Sequence, residues 1–113
     1  MQKEITFEYE GAKYTLAFTR KTVQQLSRDG FDPDMVTKHP DLGVPMLFRG
    51  AFLAHHWGMR NELKDKIYEN ITNRTALIKK LMSMYMEPIT AMIEDPEESE
   101  KNLKWEANFE DEE

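Results

Sequence analysis

The chain has no cysteine, which removes a disulfide-stapled scaffold, a zinc knuckle and a thiol nucleophile together. Histidine is scarce as well, with only His39, His55 and His56. Adjacent residues on a helix point about 100° apart, so His55 and His56 cannot share one metal ion. One core-edge and one solvent-facing histidine are expected instead. No apolar run approaches the length of a membrane span, and Met1-Gln2-Lys3-Glu4-Ile5-Thr6 has none of the apolar stretch of a signal peptide. The expected compartment is the cytoplasm, so the acceptor-like Asn70-Ile71-Thr72 and Asn73-Arg74-Thr75 carry no weight as glycosylation sites. Glycine loops for phosphate, nucleophile motifs and zinc spacings are missing. No carboxylate lies in an apolar run that would raise its pKa for acid-base work. These absences predict no enzyme, no cofactor and no metal site.

What remains is a chain of 113 residues, 32% charged and 40% hydrophobic, the size and balance of one globular domain. Its net charge of -6 is unevenly spread. Residues 94–113 carry -8 and residues 1–93 carry +2, without a dense Lys/Arg cluster. Nucleic acid is therefore not an expected partner, and neither is a membrane.

Ile5, Phe7 and Tyr9, then Tyr14, Leu16 and Phe18, alternate with less apolar residues, the period-two pattern of half-buried strands. A Gly11-Ala12 turn of type II′ would pair Tyr9 with Tyr14, Phe7 with Leu16 and Ile5 with Phe18, and set Glu10 against Lys13. Thr19 reads as the N-cap of a short helix carrying Val23 and Leu26, closed by Gly30. Asp32-Pro33 would launch a further turn or two ending before Pro40. Asp41 to Pro45 reads as a loop.

Helical spacing from Met46 to Arg60 spreads apolar residues nearly all round, leaving only Arg49, His56 and Arg60 in a narrow polar sector. That predicts the buried centre of the fold, with Gly50 and Gly58 as points where the helix could break. Glu62 to Ile71 reads as an amphipathic helix, Leu63 and Ile67 inward and Lys64, Asp65 and Glu69 outward. Asn73 would cap the last helix, Thr75 to Ile93, which Pro88 should kink or divide. The fold class expected is α+β and mostly α: an N-terminal hairpin packed on a small helical bundle with a central buried helix. The domain spans residues 1–94, followed by a disordered, flexible acidic tail at 95–113.

Met82, Met84, Met86 and Met92 fall within eleven positions of the last helix, whose apolar arc of roughly 200° exceeds a single core-facing stripe. These methionines either pack into the core or offer an adaptable face to a second helix. Trp105 and Phe109, four residues apart in the acidic tail, are either aromatic anchors of a docking segment or part of a solvating one. The candidate partner-binding residues are therefore Met82, Tyr85, Met86, Ile89, Met92, Ile93, Trp105 and Phe109.

Glu4-Ile5-Thr6-Phe7-Glu8-Tyr9-Glu10-Gly11 leading into Phe18-Thr19-Arg20-Lys21-Thr22-Val23, with Met84-Tyr85-Met86-Glu87-Pro88-Ile89, Asp95-Pro96-Glu97-Glu98-Ser99-Glu100-Lys101-Asn102 and Trp105-Glu106-Ala107-Asn108-Phe109, resembles the tail assembly chaperones of bacteriophages and prophages with long non-contractile tails. The resemblance spans nearly the whole chain and brings no catalytic signature. It implies a chaperone in the host cell cytoplasm that coats the tape measure protein until tail tube protein polymerises around it; self-association among copies is instead one reading of the wide apolar arc on the last helix. It also implies a longer product made by programmed frameshifting. Asn102-Leu103-Lys104 can be encoded as AAU-UUA-AAA, which contains a slippery heptamer; any leucine codon other than UUA eliminates that site. A second reading of the residues is a small regulatory or adaptor protein that docks a host or phage partner through its acidic aromatic tail.

Overall fold

Glu10 and Gly11 reverse the chain, both with positive φ, 50° and 81°. In the computed structural model, which describes residues 3–109, they join β1 (Ile5–Tyr9) to β2 (Ala12–Leu16). Ile5 lies opposite Leu16, Phe7 opposite Tyr14, Glu8 opposite Lys13 and Tyr9 opposite Ala12. Positive φ at both central positions is the type I′ arrangement, whose twist matches that of the strands. This corrects the expected Gly11-Ala12 turn and moves the register by two places. Side chains alternate with period two, so Ile5, Phe7 and Tyr9 still share a face with Tyr14 and Leu16.

Two strands alone are marginal in water, and this pair is held along one edge and one face to the turns at residues 51–56. The Thr15 N–H donates to His56 Nε2 at 3.0 Å, and the Ala17 N–H donates to the Ala51 carbonyl at 3.0 Å. On the inner face, Phe7 and Tyr14 meet the Phe52 ring edge-on at 6.4 and 6.2 Å between centroids.

The first helix, α1 (Arg20–Arg28), starts where Thr19 accepts the Thr22 N–H while Thr22 Oγ1 accepts the Thr19 N–H, a reciprocal capping box. It ends with Gly30 at φ 96°; the Gly30 N–H donates to Ser27 and the Phe31 N–H to Leu26, which satisfies the last carbonyls in a Schellman motif. Both ends match the sequence expectation. A single turn, α2 (Met35–Lys38), follows Asp32, whose carboxylate accepts the Asp34 N–H at 2.9 Å.

The expected loop at Asp41 to Pro45 is instead helical. It belongs to α3 (Pro40–Gly50), which starts on Pro40 and carries Pro45 inside it. Pro40 costs nothing in the first turn, because its missing N–H has no partner there, and Pro45 removes only one bond. The helix also stops ten residues before Arg60, and Ala51 to His55 continue as turns. Centrality nonetheless holds. Leu47, Phe48, Ala51 and Phe52 are almost fully buried, and α3 packs against α1, α2, α4 (Asn61–Asn70) and α5 (Arg74–Ile93).

Asn73, at φ 55°, turns the chain between α4 and α5 and makes no side-chain cap bond. Arg74 links them: its guanidinium donates to the Glu69 and Ile71 carbonyls and lies over the Tyr68 ring. Beyond Pro88 the last helix continues undivided to Ile93, contrary to the division weighed as one outcome, although Pro88 has no N–H for the Met84 carbonyl. Its Tyr85 fills a core cluster, edge-on to Phe18 at 5.6 Å and Phe31 at 5.1 Å. From Asp95 to Phe109 there is neither helix nor strand, though a turn closes at Ser99–Asn102, where the Asn102 N–H donates to the Ser99 carbonyl.

Candidate interaction surface

Helical geometry sorts the candidate partner residues of α5 into three groups. By the 100° step of an α-helix, Leu77, Leu81, Met84 and Tyr85 lie on one arc, and all four are buried. Tyr85 thus belongs to the core, which corrects its assignment to a partner surface; desolvation, and then the nearby Asp32 charge, raise its hydroxyl pKa. Met82, Met86, Ile89 and Ile93 fall within about 60° of one another beside that arc. Met82 and Ile89 lean on the core, Met86 is open to solvent and Ile93 is 80% exposed. Met92 continues the core-facing side into the last turn of α5, where it is half exposed.

A second apolar surface was not anticipated. Trp57, expected inside the central helix, is 78% exposed because the chain leaves helical geometry after Gly50 and turns again at Gly58, φ 89°. Beside it runs a groove of about 290 Å³ between α1 and the turns after α3, walled by Thr19, Lys21, Thr22 and Gln25 on one side and Leu53, Ala54 and Trp57 on the other. Gly58 was the available signal, since a glycine needed at positive φ is incompatible with a continuing helix.

Several charged groups beside the core have polar partners. Arg49 grips Asp65 with two hydrogen bonds, at 2.9 and 2.6 Å, which hold the carboxyl below and the guanidinium above their ordinary values. Lys64, expected outward, is 3% exposed. Its ammonium donates to the Arg49 carbonyl at 3.2 Å and lies 5.7 Å from the Phe52 ring centroid. Burial and then the Arg49 charge lower its pKa. His56 sits half-buried against Tyr14 and Phe52, whereas the more open His55 lies 3.1 Å from Glu4. Among the described residues no group of three His, Asp or Glu is placed to hold a metal ion, and no helix is long and apolar enough to cross a membrane.

Residues 1–109 match the family model described as Domain of unknown function (DUF5055). The chain belongs to that family. No curated protein and no solved structure matches it. In this DUF5055 chain the remaining candidates, Trp105 and Phe109, lie outside the packed domain, 80% and 71% exposed, with Leu103 exposed beside them. The structure therefore brings Met86, Ile89 and Ile93 onto one helix face, and leaves Trp105 and Phe109 on a separate segment.

Proposed function

We propose that this chain is a non-enzymatic phage tail assembly chaperone that binds the tape measure protein through the face of α5 bearing Met86, Ile89 and Ile93. The carrying observation is that the longest helix extends beyond its own core and leaves this apolar flank open. A long helical partner offers the same type of stripe at every heptad, so many weak, adaptable contacts along it would add up by avidity. Methionine suits such a surface because its unbranched, polarisable chain conforms to varied side chains. The sequence resemblance supplies the identity of the rod.

Co-expression with the adjoining tape measure gene tests the proposal. The long protein is expected to become soluble and to co-purify with this chain, and Ile93→Asp combined with Met86→Asp should abolish both effects. Unchanged solubility together with no co-purification would sink the reading. The second reading, an adaptor that docks through its acidic aromatic tail, is favoured by the exposure of Leu103, Trp105 and Phe109. Truncation after Glu94 separates the two: an adaptor loses its partner, and a chaperone working through α5 keeps it.

A further inference from the structure

We infer that residues 103–109 are a donor strand that adds to the open edge of β1 in a second copy of this chain. Leu103, Trp105, Ala107 and Phe109 alternate with Lys104, Glu106 and Asn108, the period-two pattern of a strand with one apolar face, and no proline or glycine interrupts it. Such a segment cannot bury that face alone. It follows the turn at Ser99–Asn102 and forms neither helix nor strand within its own chain. Leu103, Trp105 and Phe109 stand in water, and the chain's own sheet has two strands only among the described residues. A segment that is free in its own molecule has a second molecule as the place to complete a sheet.

The acceptor edge is defined by the hairpin's own bonding. The Thr15 N–H points away from β1 to reach His56, so Thr6, which lies opposite it, turns its N–H and C=O away from β2, and so does Glu8 two places on. On the inner face Ile5, Phe7 and Tyr9 are only half-buried, whereas Leu16 on β2 is fully buried, which leaves apolar surface for a third strand to cover. Charge is complementary: Lys101 and Lys104 against Glu106 give residues 101–109 a net of +1, and Glu4, Glu8 and Glu10 give residues 4–10 a net of -3. It also selects the register. An antiparallel strand with Lys104 opposite Glu8 sets Trp105 against Phe7 and Glu106 against Thr6, and places Glu8 between Lys13 and Lys104. Sliding it by two places either way keeps the faces but brings Glu106 opposite Glu4 or Glu8. Donor and acceptor are different patches of one chain, so the contact is head to tail and can run from copy to copy. It does not rest on what α5 binds.

Lys104→Pro in the full chain tests the inference. Proline removes an N–H that faces the acceptor in this register, and it does so in an exposed segment outside the packed domain, so the fold is kept. A seven-residue strand buries far less than the about 1,600 Å² of a standard interface, so sedimentation of the natural chain should show a mass rising roughly twofold or more as concentration approaches about 1 mM. Lys104→Pro should stay a single chain throughout. Amide exchange at Thr6 and Glu8 locates the contact. Their N–H groups face water in one molecule, so exchange should slow about twofold once about half the edges are occupied, and should remain fast in Lys104→Pro at the same concentration. A natural chain that is monomeric at about 1 mM overturns the inference. Association that persists in Lys104→Pro also overturns it, by placing the self-contact on the α5 flank or between two β1 edges. Slow exchange that is independent of concentration rejects the second copy and assigns the strand to its own edge. None of these readouts involves the tape measure protein, so this inference and the proposed function can fail separately.

Discussion

A histidine nitrogen that accepts a backbone N–H has to be unprotonated, and His56 Nε2 does so for Thr15. Burial, followed by the charges of His55 and Lys64, lowers its pKa from the usual 6.5. The depressed value means that the folded state resists a proton that the unfolded chain accepts. This contribution is fully present above the unfolded value and declines as pH falls from about 6.5 toward the folded pKa. Urea midpoints measured from pH 7.5 to 5 should fall accordingly, and His56→Gln, which retains an acceptor, should flatten that part of the profile. At Gly43 the constraint is steric. An added Cβ would lie 2.5 Å from the Met35 backbone carbon, which has no rotamer with which to yield. Gly43→Ala is expected to cost about 1–3 kcal/mol by urea unfolding. Lys64 runs the other way, because its replacement by methionine keeps the buried stem and removes a desolvated charge held by one carbonyl. Lys64→Met should leave stability unchanged or raise it.

Among the elements, α5 holds two kinds of apolar residue that the sequence cannot separate, and a pair of substitutions does so. Tyr85→Ala removes a ring packed between Phe18 and Phe31, and a loss of about 3–5 kcal/mol is expected from calorimetry or urea melts. Ile93→Ser should change stability by less than about 0.5 kcal/mol, since the side chain is already in water. If Ile93→Ser proved as costly as Tyr85→Ala, the flank would be core and the proposed partner surface would not exist. Sequence legibility followed locality. The ends of α1 were readable because a capping threonine and a C-terminal glycine act within four residues of themselves. The hairpin face was readable for the same kind of reason, as alternation survives a two-place error in register. The extent of α3 was not, because nothing local says that Pro45 is outweighed by burial of Leu47 and Phe48. Nor could spacing alone assign Lys64 inward, since its ammonium is received by the Arg49 carbonyl of α3 and by the Phe52 ring. Periodicity gave the width of the apolar arc on α5, but only the fold shows where the core ends along it.

Across the whole molecule, charge and packing are segregated: the helices and hairpin hold the core, and the segment after Ile93 holds the acidity. Truncation after Glu94 should therefore move the urea midpoint by less than about 0.5 kcal/mol in stability terms. It should also bring the protein close to neutrality and lower its solubility near pH 7, which ultracentrifugation of concentrated samples would detect. The same separation explains why overall acidity says little about what the proposed surface on α5 would bind. The two edges of the hairpin are likewise unequal. One is closed by the Thr15 bond to His56 and the Ala17 bond to Ala51, while the outer edge of β1 meets no strand among the described residues. The outer edge of β1 is therefore the readier place for an additional strand. Two chains joined edge to edge through β1 would end in a four-stranded sheet flanked on both sides by the partly covered β2 edge, which disfavours growth into a fibril.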